Sequence, residues 1–260
     1  MFKWSKYDAI ILPIVLLIII IISKLIQISL RGKDEKTKII PLKIITIIML
    51  IMEIIKQVKD IIDGYDMWTF PLHFCSLFLY FFPLAVFAKG KFQDFGKTMS
   101  LVCPIMMTIA FYVSPGGIIG NSSSELLSNF SAFHSFTYHH LVILFLFVSL
   151  FTNFYSFKKE NYKYVLIGFI TYALLVIPAA HLLNTNYCEM LHSSINFLES
   201  FRLFAGQFTY TLLVFTIFLV GGTFLVFIHG KITSKQKMVE NKNKISKTSW
   251  QTNFFVYNMR

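Results

Sequence analysis

Cys75 is the residue of this sequence whose side chain best suits nucleophilic chemistry. It lies in the segment 71–76, PLHFCS, at the start of an apolar block. Proline is well tolerated in the first turn of a helix. If a helix begins at Pro71, Cys75 lies one turn in, about 6 Å along the axis. The helix dipole and nearby imidazoles would favour the thiolate there, whereas apolar surroundings would oppose it. Inert packing is the alternative interpretation.

Histidines supply the base that a nucleophilic cysteine needs within hydrogen-bond reach. His139 and His140 come from a different apolar block, and the sequence leaves open which of them faces Cys75. Ser135, four residues before His139, shares its helix side and can fix the tautomer of its ring. Six of the seven histidines lie near one predicted face of the molecule: His73, His134, His139, His140, His181 and His192.

A polar stripe runs along the second apolar block. Glu53, Lys56, Gln57 and Asp60 fall at i, i+3, i+4 and i+7, which is one side of a helix. Such a stripe is costly in contact with lipid. We therefore predict that it faces the bundle and lines a central cavity, although a Glu53–Lys56 pair that only orients helices is equally compatible.

The elements that position these residues are long apolar blocks. The 260 residues are 55% apolar and 14% charged, against about 25% charged in soluble domains. A membrane-spanning helix needs roughly 20 residues. The sequence predicts an all-α polytopic bundle of seven transmembrane helices in residues 1–230, followed by a basic cytoplasmic tail, 231–260. The blocks are 8–28, 43–62, 71–87, 97–113, 131–154, 162–183 and 202–228.

The net charge of +11 is concentrated in alternate connections. Cytoplasmic loops are rich in Lys and Arg. The pattern therefore predicts a protein of the cell membrane with its N-terminus outside the cell and its C-terminus in the cytoplasm. It excludes nucleic acid as the reason for the charge and predicts membrane lipids as partners, with anionic inner-leaflet lipids at the tail. The basic groups are Arg31, Lys33, Lys36, Lys38 and Lys43, then Lys89, Lys91 and Lys97, then Lys158, Lys159 and Lys163, and seven residues from 231 to 260.

Three short motifs resemble the bacterial YwaF-type integral membrane protein family. Residues 71–75, PLHFC, resemble its Pro-Leu-His-Leu-Cys signature, and residues 138–141, YHHL, resemble its second histidine site, with His139 at the matching position. Asn186 and Tyr187 resemble its Asn-Tyr pair. The similarity covers roughly the second to seventh blocks, and the first motif is the most specific of the three.

This family is similar to eukaryotic seven-helix membrane acyltransferases that act on phospholipids through a cysteine and a histidine. The resemblance implies that Cys75 is the nucleophile and His139 the base. The sequence departs from the family at 201–206, FRLFAG, where members carry a Pro/Trp-rich start to the last helix. Shared fold is the firmer implication, because one fold hosts many activities.

Three hypotheses about function follow. The first is lipid acyl transfer or acyl hydrolysis by Cys75 and His139 without a cofactor. The second is a metal-dependent hydrolase with His73, His139 and His181 as ligands, although the sequence contains no HExxH motif. The third is a non-enzymatic module that binds or transports a small solute or lipid. The oligomeric state is left open. The predicted supporting residues are Glu53, Gln57, His73, Ser135, His140, His181, Asn186 and Tyr187.

Overall fold

Helices make up about 80% of the chain in a computed structural model. The structure describes residues 4–120 and 123–257, with side chains as far as residue 235, and contains no strand within them. A 3-10 turn, Phe74–Leu77, leads directly into the third long helix. The helices of ten residues or more are α1 (Lys6–Ser29), α2 (Ile40–Asp63), α3 (Phe78–Phe87), α4 (Gly90–Val113), α5 (Phe130–Phe151), α6 (Glu160–Leu182), α7 (Asn196–Ala205) and α8 (Gln207–Tyr257).

Five helices in the described residues are long and apolar enough to cross a membrane. They are α1, α4, α5, α6 and the Gln207–Lys235 part of α8. The predicted multi-pass membrane protein is therefore confirmed. All seven predicted blocks form helices, but α2 carries six charged residues and the apolar helix Phe74–Phe87 is short. Seven crossings and their orientation stay predictions.

Glu53 and Asp60 of α2 turn inward, and most of its isoleucines turn outward. The side chains of Glu53 and Asp60 are 13% and 15% exposed, whereas Ile54 is 62% exposed. This is the reverse of a helix on a soluble protein. It suits a lipid environment, where apolar side chains face the hydrocarbon and polar ones face the bundle interior.

The start of the third helix differs from the prediction. The chain is extended at His73 (ψ 159°) and becomes helical only at Phe74, so Cys75 lies inside the first turn rather than one turn in. Tertiary contacts explain this difference, because the hydroxyls of Tyr80 on α3 and Tyr172 on α6 donate hydrogen bonds to the carbonyls of Pro71 and Leu72. The sequence around Pro71 does not by itself indicate those contacts.

The C-terminal region also differs from the predicted boundaries. The block predicted to begin at residue 202 is divided at Gly206, whose φ of +83° closes α7 before α8 begins. Glycine adopts this left-handed conformation without steric cost. Helix α8 continues past residue 231 to Tyr257. The division into a transmembrane domain, 1–230, and a cytoplasmic tail, 231–260, stays a prediction.

The packing of α3 against α4 depends on Gly96. A Cβ atom at this position would lie 2.5 Å from the backbone nitrogen of Ala85 and 2.6 Å from the carbonyl carbon of Leu84. Small residues allow two backbones in a membrane bundle to approach closely. Since the obstructing atoms belong to the backbone, they cannot turn aside as a flexible side chain would.

We predict that Gly96→Ala destabilises the fold by about 1–3 kcal/mol, the usual cost of overpacking. Unfolding of the purified protein in mixed detergent and SDS micelles measures this loss. Gly221→Ala is the matched control, because its added Cβ would meet only Met106 Cε at 3.5 Å. Equal stability of the two variants would contradict the close approach of α3 and α4.

Candidate functional site

A cavity of about 600 Å³ lies toward the end of the bundle where α2 and α6 end and α5 begins. Its walls come from α2, the connection before α3, α4, α5, α8 and the loop after α6. Met106, Met107 and Phe218 provide apolar wall. Six of the residues proposed from the sequence line it: Glu53, His73, Cys75, Ser135, His139 and Asn186.

Tyrosine hydroxyls fix the backbone around Cys75. Tyr138 on α5 donates to the carbonyl of Cys75 at 3.3 Å. Tyr172 on α6 donates to the carbonyl of Leu72 at 2.7 Å, and Tyr80 donates to that of Pro71 at 3.2 Å. Three tyrosine hydroxyls therefore hold the backbone from Pro71 to Cys75 in place before α3. The result is a defined backbone position for a thiol that faces the cavity.

His139 is held in one tautomer by its own helix. Its Nδ1–H donates to the carbonyl of Ser135 at 2.7 Å, so Nε2 carries no proton in the neutral ring. Among the described residues Nε2 is buried and has no hydrogen-bond partner. The Ser135 carbonyl, rather than its hydroxyl, thus orients the ring. A neutral imidazole with an unprotonated Nε2 can act as a general base once a proton donor comes within hydrogen-bond reach of that nitrogen.

His140 has the same local bonding but a different environment. Its Nδ1–H donates to the carbonyl of Phe136 at 2.7 Å, and its ring lies 4.1 Å from Phe136 and 5.2 Å from Phe111 between ring centroids. It does not line the cavity. Of the two neighbouring histidines, only His139 shares a cavity with Cys75.

Cys75 and His139 line this cavity without a direct hydrogen bond between their side chains in the described part of the chain. A bound substrate or water must bridge them, or one side chain must turn, before a proton can pass. Catalytic hydrogen bonds are often long before substrate binds. Cys75 and His139 therefore line one cavity, and we expect direct contact between their side chains only when substrate is bound.

The polar stripe of α2 forms a connected network at the cavity wall. Gln57 Nε2 donates to Glu53 Oε1 at 2.7 Å and to the carbonyl of Thr69 at 2.9 Å. Lys56 Nζ lies 3.4 Å from Glu53 Oε1 and 3.2 Å from the same Thr69 carbonyl. Glu53 and Lys56 line the cavity, whereas Gln57 lies behind them. The stripe thus both orients α2 and places charged side chains on the cavity wall.

The loop after α6 supports the cavity through Asn186 and Tyr187. Asn186 Oδ1 accepts from the backbone N–H of Leu191 at 2.8 Å and of His192 at 3.2 Å. Tyr187 is fully buried and donates to the carbonyl of Met67. Its ring centroid lies 5.1 Å from that of His73. Tyr187 therefore fastens the loop to the connection before α3 and does not itself line the cavity.

The model of the TMEM164 family, a family of transmembrane proteins, matches residues 1–228. The chain belongs to the TMEM164 family. No curated protein and no solved structure matches it. Membership accounts for the membrane-spanning helices of this TMEM164-family protein but does not by itself assign an activity.

The three-histidine metal site predicted as an alternative is not assembled in this TMEM164-family protein. His73 and His139 line the cavity, but His181 is exposed near the end of α6. Among the residues that the structure describes, no group of three or more His, Cys, Asp or Glu side chains is placed to hold a metal ion. Nε2 of His73 instead contacts the carbonyl of Trp68 at 3.0 Å.

The polar residues of α7 are engaged with each other and do not line the cavity. Glu199 accepts hydrogen bonds from Arg202 and from the backbone N–H of Ser193. These bonds lower the pKa of Glu199 to about 2. Gln207, the first residue of α8, donates to the carbonyl of Met190 at 2.6 Å. The departure of segment 201–206 from the YwaF-type pattern thus falls outside the cavity wall.

Sequence reasoning missed Tyr172 and Cys188. The Tyr172 hydroxyl contacts both the Leu72 carbonyl and Cys188 Sγ, and Cys188 lines the cavity. A tyrosine in the middle of an apolar block was an available signal, because a polar group at depth needs a partner. Cys188 reaches the cavity from a loop in which it and Glu189 have φ of 51° and 62°. Nothing in the sequence predicts those angles.

Proposed function

We propose that this protein is a membrane-lipid acyltransferase or acyl hydrolase that works through a thioester on Cys75, with His139 as the base. The observation that supports the proposal is the shared cavity, which is lined by Cys75 and by His139 of α5. Nε2 of His139 is buried and has no hydrogen-bond partner among the described residues. The resemblance to YwaF-type proteins and phospholipid acyltransferases points to the same pair.

The reaction balances with these two side chains. His139 Nε2 takes the proton of the Cys75 thiol, and the sulfur attacks the acyl carbonyl of a lipid ester. The ester C–O bond breaks, and the leaving oxygen receives the proton from His139. The hydroxyl oxygen of an acceptor lipid or of water then attacks the thioester carbonyl, the C–S bond breaks, and the proton of that hydroxyl passes to the Cys75 sulfur. Backbone N–H groups in the first turn of the 74–87 helix suit the oxyanion that forms in each step.

The cavity walls suit an amphiphile. Its volume of about 600 Å³ lies in the range of known small-molecule sites, roughly 300–1,000 Å³. Met106, Met107 and Phe218 offer apolar contact for an acyl chain, and Glu53 and Lys56 offer charged contact for a headgroup. A charged group facing this space also supports the wider inference that the cavity opens toward water at one side of the membrane.

We also propose the finer topology: seven spans, the N-terminus outside the cell membrane and the C-terminus inside, against anionic lipids. Support comes from the basic connections after α1, α3 and α5, which lie at the end of the bundle opposite the cavity. A C-terminal green fluorescent protein should fluoresce and a C-terminal alkaline phosphatase should be inactive in cells. An active phosphatase with a dark fluorescent protein would reverse the orientation.

Binding or transport of a small solute is the second candidate, favoured by the charged groups Glu53, Lys56 and Glu189 on the cavity wall. Turnover separates the two candidates. We expect purified protein in lipid vesicles to move a deuterium-labelled acyl chain from a phospholipid to a lysophospholipid or to water, followed by mass spectrometry. Saturable binding of a solute with no acyl movement from any of several phospholipid classes would favour the second candidate and refute the first.

A further inference from the structure

The two oxygens of the Glu53 carboxylate have different partners. Oε1 accepts from Gln57 Nε2 at 2.7 Å and lies 3.4 Å from Lys56 Nζ. Oε2 faces Nε2 of His134 on α5 at 3.7 Å. Gln57 and Lys56 are themselves fixed on the Thr69 carbonyl. The network therefore anchors one side of the carboxylate and presents the other side to an imidazole.

His134 is placed for proton transfer at a different point of the cavity from His139. Both line the cavity, but five residues of helix separate them by about 7.5 Å along the axis. The ring of Tyr138 contacts both, with its centroid 5.6 Å from that of His134 and 5.9 Å from that of His139. The same tyrosine holds the Cys75 carbonyl. One imidazole therefore cannot replace the other without moving α5.

The chemical setting of the two rings also differs. The His139 ring is oriented by a neutral backbone carbonyl, whereas His134 faces a carboxylate. A carboxylate that accepts Nε2–H leaves Nδ1 as the basic nitrogen and stabilises the imidazolium that forms when Nδ1 takes a proton. His134 Nε2 is buried and makes no hydrogen bond of normal length among the described residues, and the Met52 backbone on α2 is a further hydrogen-bonding group beside the ring. The 3.7 Å separation closes to a hydrogen bond with a small shift of either side chain.

We infer that Glu53 and His134 form a second acid–base centre, which activates the hydroxyl group that receives the acyl chain from Cys75. This inference rests on the proposed function. In the second half of the reaction, His134 Nδ1 takes the proton of the acceptor alcohol or water as its oxygen attacks the thioester carbonyl. The C–S bond breaks, and the Cys75 sulfur leaves as thiolate. His134 then returns the proton to it through solvent in the cavity, which restores both groups.

Burst kinetics with p-nitrophenyl decanoate separate the two halves of this reaction in the full-length protein. The p-nitrophenol burst reports acylation of Cys75, and the later steady rate reports transfer to water. In His134→Gln, which keeps a donor toward Glu53 but removes the base, we expect acylation within a few-fold of wild type. We expect the steady rate to fall roughly 10²-fold, the usual contribution of a general base, and a hydroxylamine-labile acyl adduct to accumulate. Glu53→Gln should give a smaller fall of the same kind.

His181→Gln serves as the matched control, because that histidine is exposed and outside the cavity. Unchanged steady rates in both His134→Gln and Glu53→Gln would overturn the inference while leaving the thioester proposal intact. Equal loss of burst and steady rate in folded His134→Gln would also overturn it. Added imidazole should restore the steady rate, and not the burst, of His134→Ala. Absence of any Cys75 adduct in the wild type and in His134→Gln would instead refute the proposed function itself.

Discussion

Replacement of Cys75 by serine is expected to reduce acyl transfer by on the order of 10³-fold or more, as for other catalytic nucleophiles. A serine hydroxyl fits the position but ionises far less readily than a thiol, and its ester is a poorer acyl donor than a thioester. The backbone at this position is held by the hydroxyl of Tyr138. The variant should therefore fold normally, and the loss should appear in turnover rather than in protein yield.

Cys188→Ser is the matched control for this loss. Cys188 lines the same cavity, and its sulfur contacts the Tyr172 hydroxyl, for which a serine oxygen is an adequate partner. We expect turnover within about 3-fold of wild type, as for changes outside the reacting groups. Initial rates with a labelled phospholipid provide the measurement. Retained activity in Cys75→Ser, or an equal loss in Cys188→Ser, would remove Cys75 from the mechanism.

Replacement of His139 by asparagine is expected to slow acylation of Cys75 by about 10²–10⁴-fold, the range of general-base catalysis. The Asn amide can still donate to the Ser135 carbonyl, as His139 Nδ1 does, but has no basic nitrogen at the position of Nε2. Because the remaining thiol must ionise unaided, the residual rate should rise with pH. Single-turnover acylation rates between pH 6 and 9 test both the size of the loss and this slope.

His140→Asn is an unusually close control, because His140 makes the same i to i−4 bond to Phe136 but does not line the cavity. We expect acylation in this variant to stay within a few-fold of wild type. A larger effect of His140→Asn than of His139→Asn would mean that α5 is rotated by about 100°, the angle between adjacent helical residues, relative to the structure described here.

The helices of this protein were largely predictable and their ends were not. Apolar length and charge bias locate all seven predicted blocks, since burial in lipid dominates the sequence. The helix of the third block begins later than Pro71, because Tyr80 and Tyr172 donate hydrogen bonds to the carbonyls of residues 71 and 72. The last block is divided by Gly206 in a left-handed conformation. The first outcome depends on a contact with the distant helix α6, whereas the second depends on the conformation of one glycine.

Several residues of the cavity wall were predictable from the sequence, and their contacts were not. The polar positions at depth indicated Cys75, His139 and Glu53, which line one cavity. The sequence could not distinguish His139 from His140, because the choice depends on how α5 is rotated against Phe111. It assigned Asn186 and His181 to the site together, yet only Asn186 lines the cavity. Cys188 depends on backbone angles that carry no sequence signal.

The acyl adduct itself is the most direct test of the account. Wild-type protein is incubated with a phospholipid that carries a deuterium-labelled acyl chain, quenched in acid and digested for tandem mass spectrometry. We expect one labelled acyl group on the peptide that contains Cys75, removed by neutral hydroxylamine and absent from Cys75→Ser. Turnover that continues with the label on another residue would contradict the account. Turnover that continues with no covalent adduct in either the wild type or His134→Gln would also contradict it.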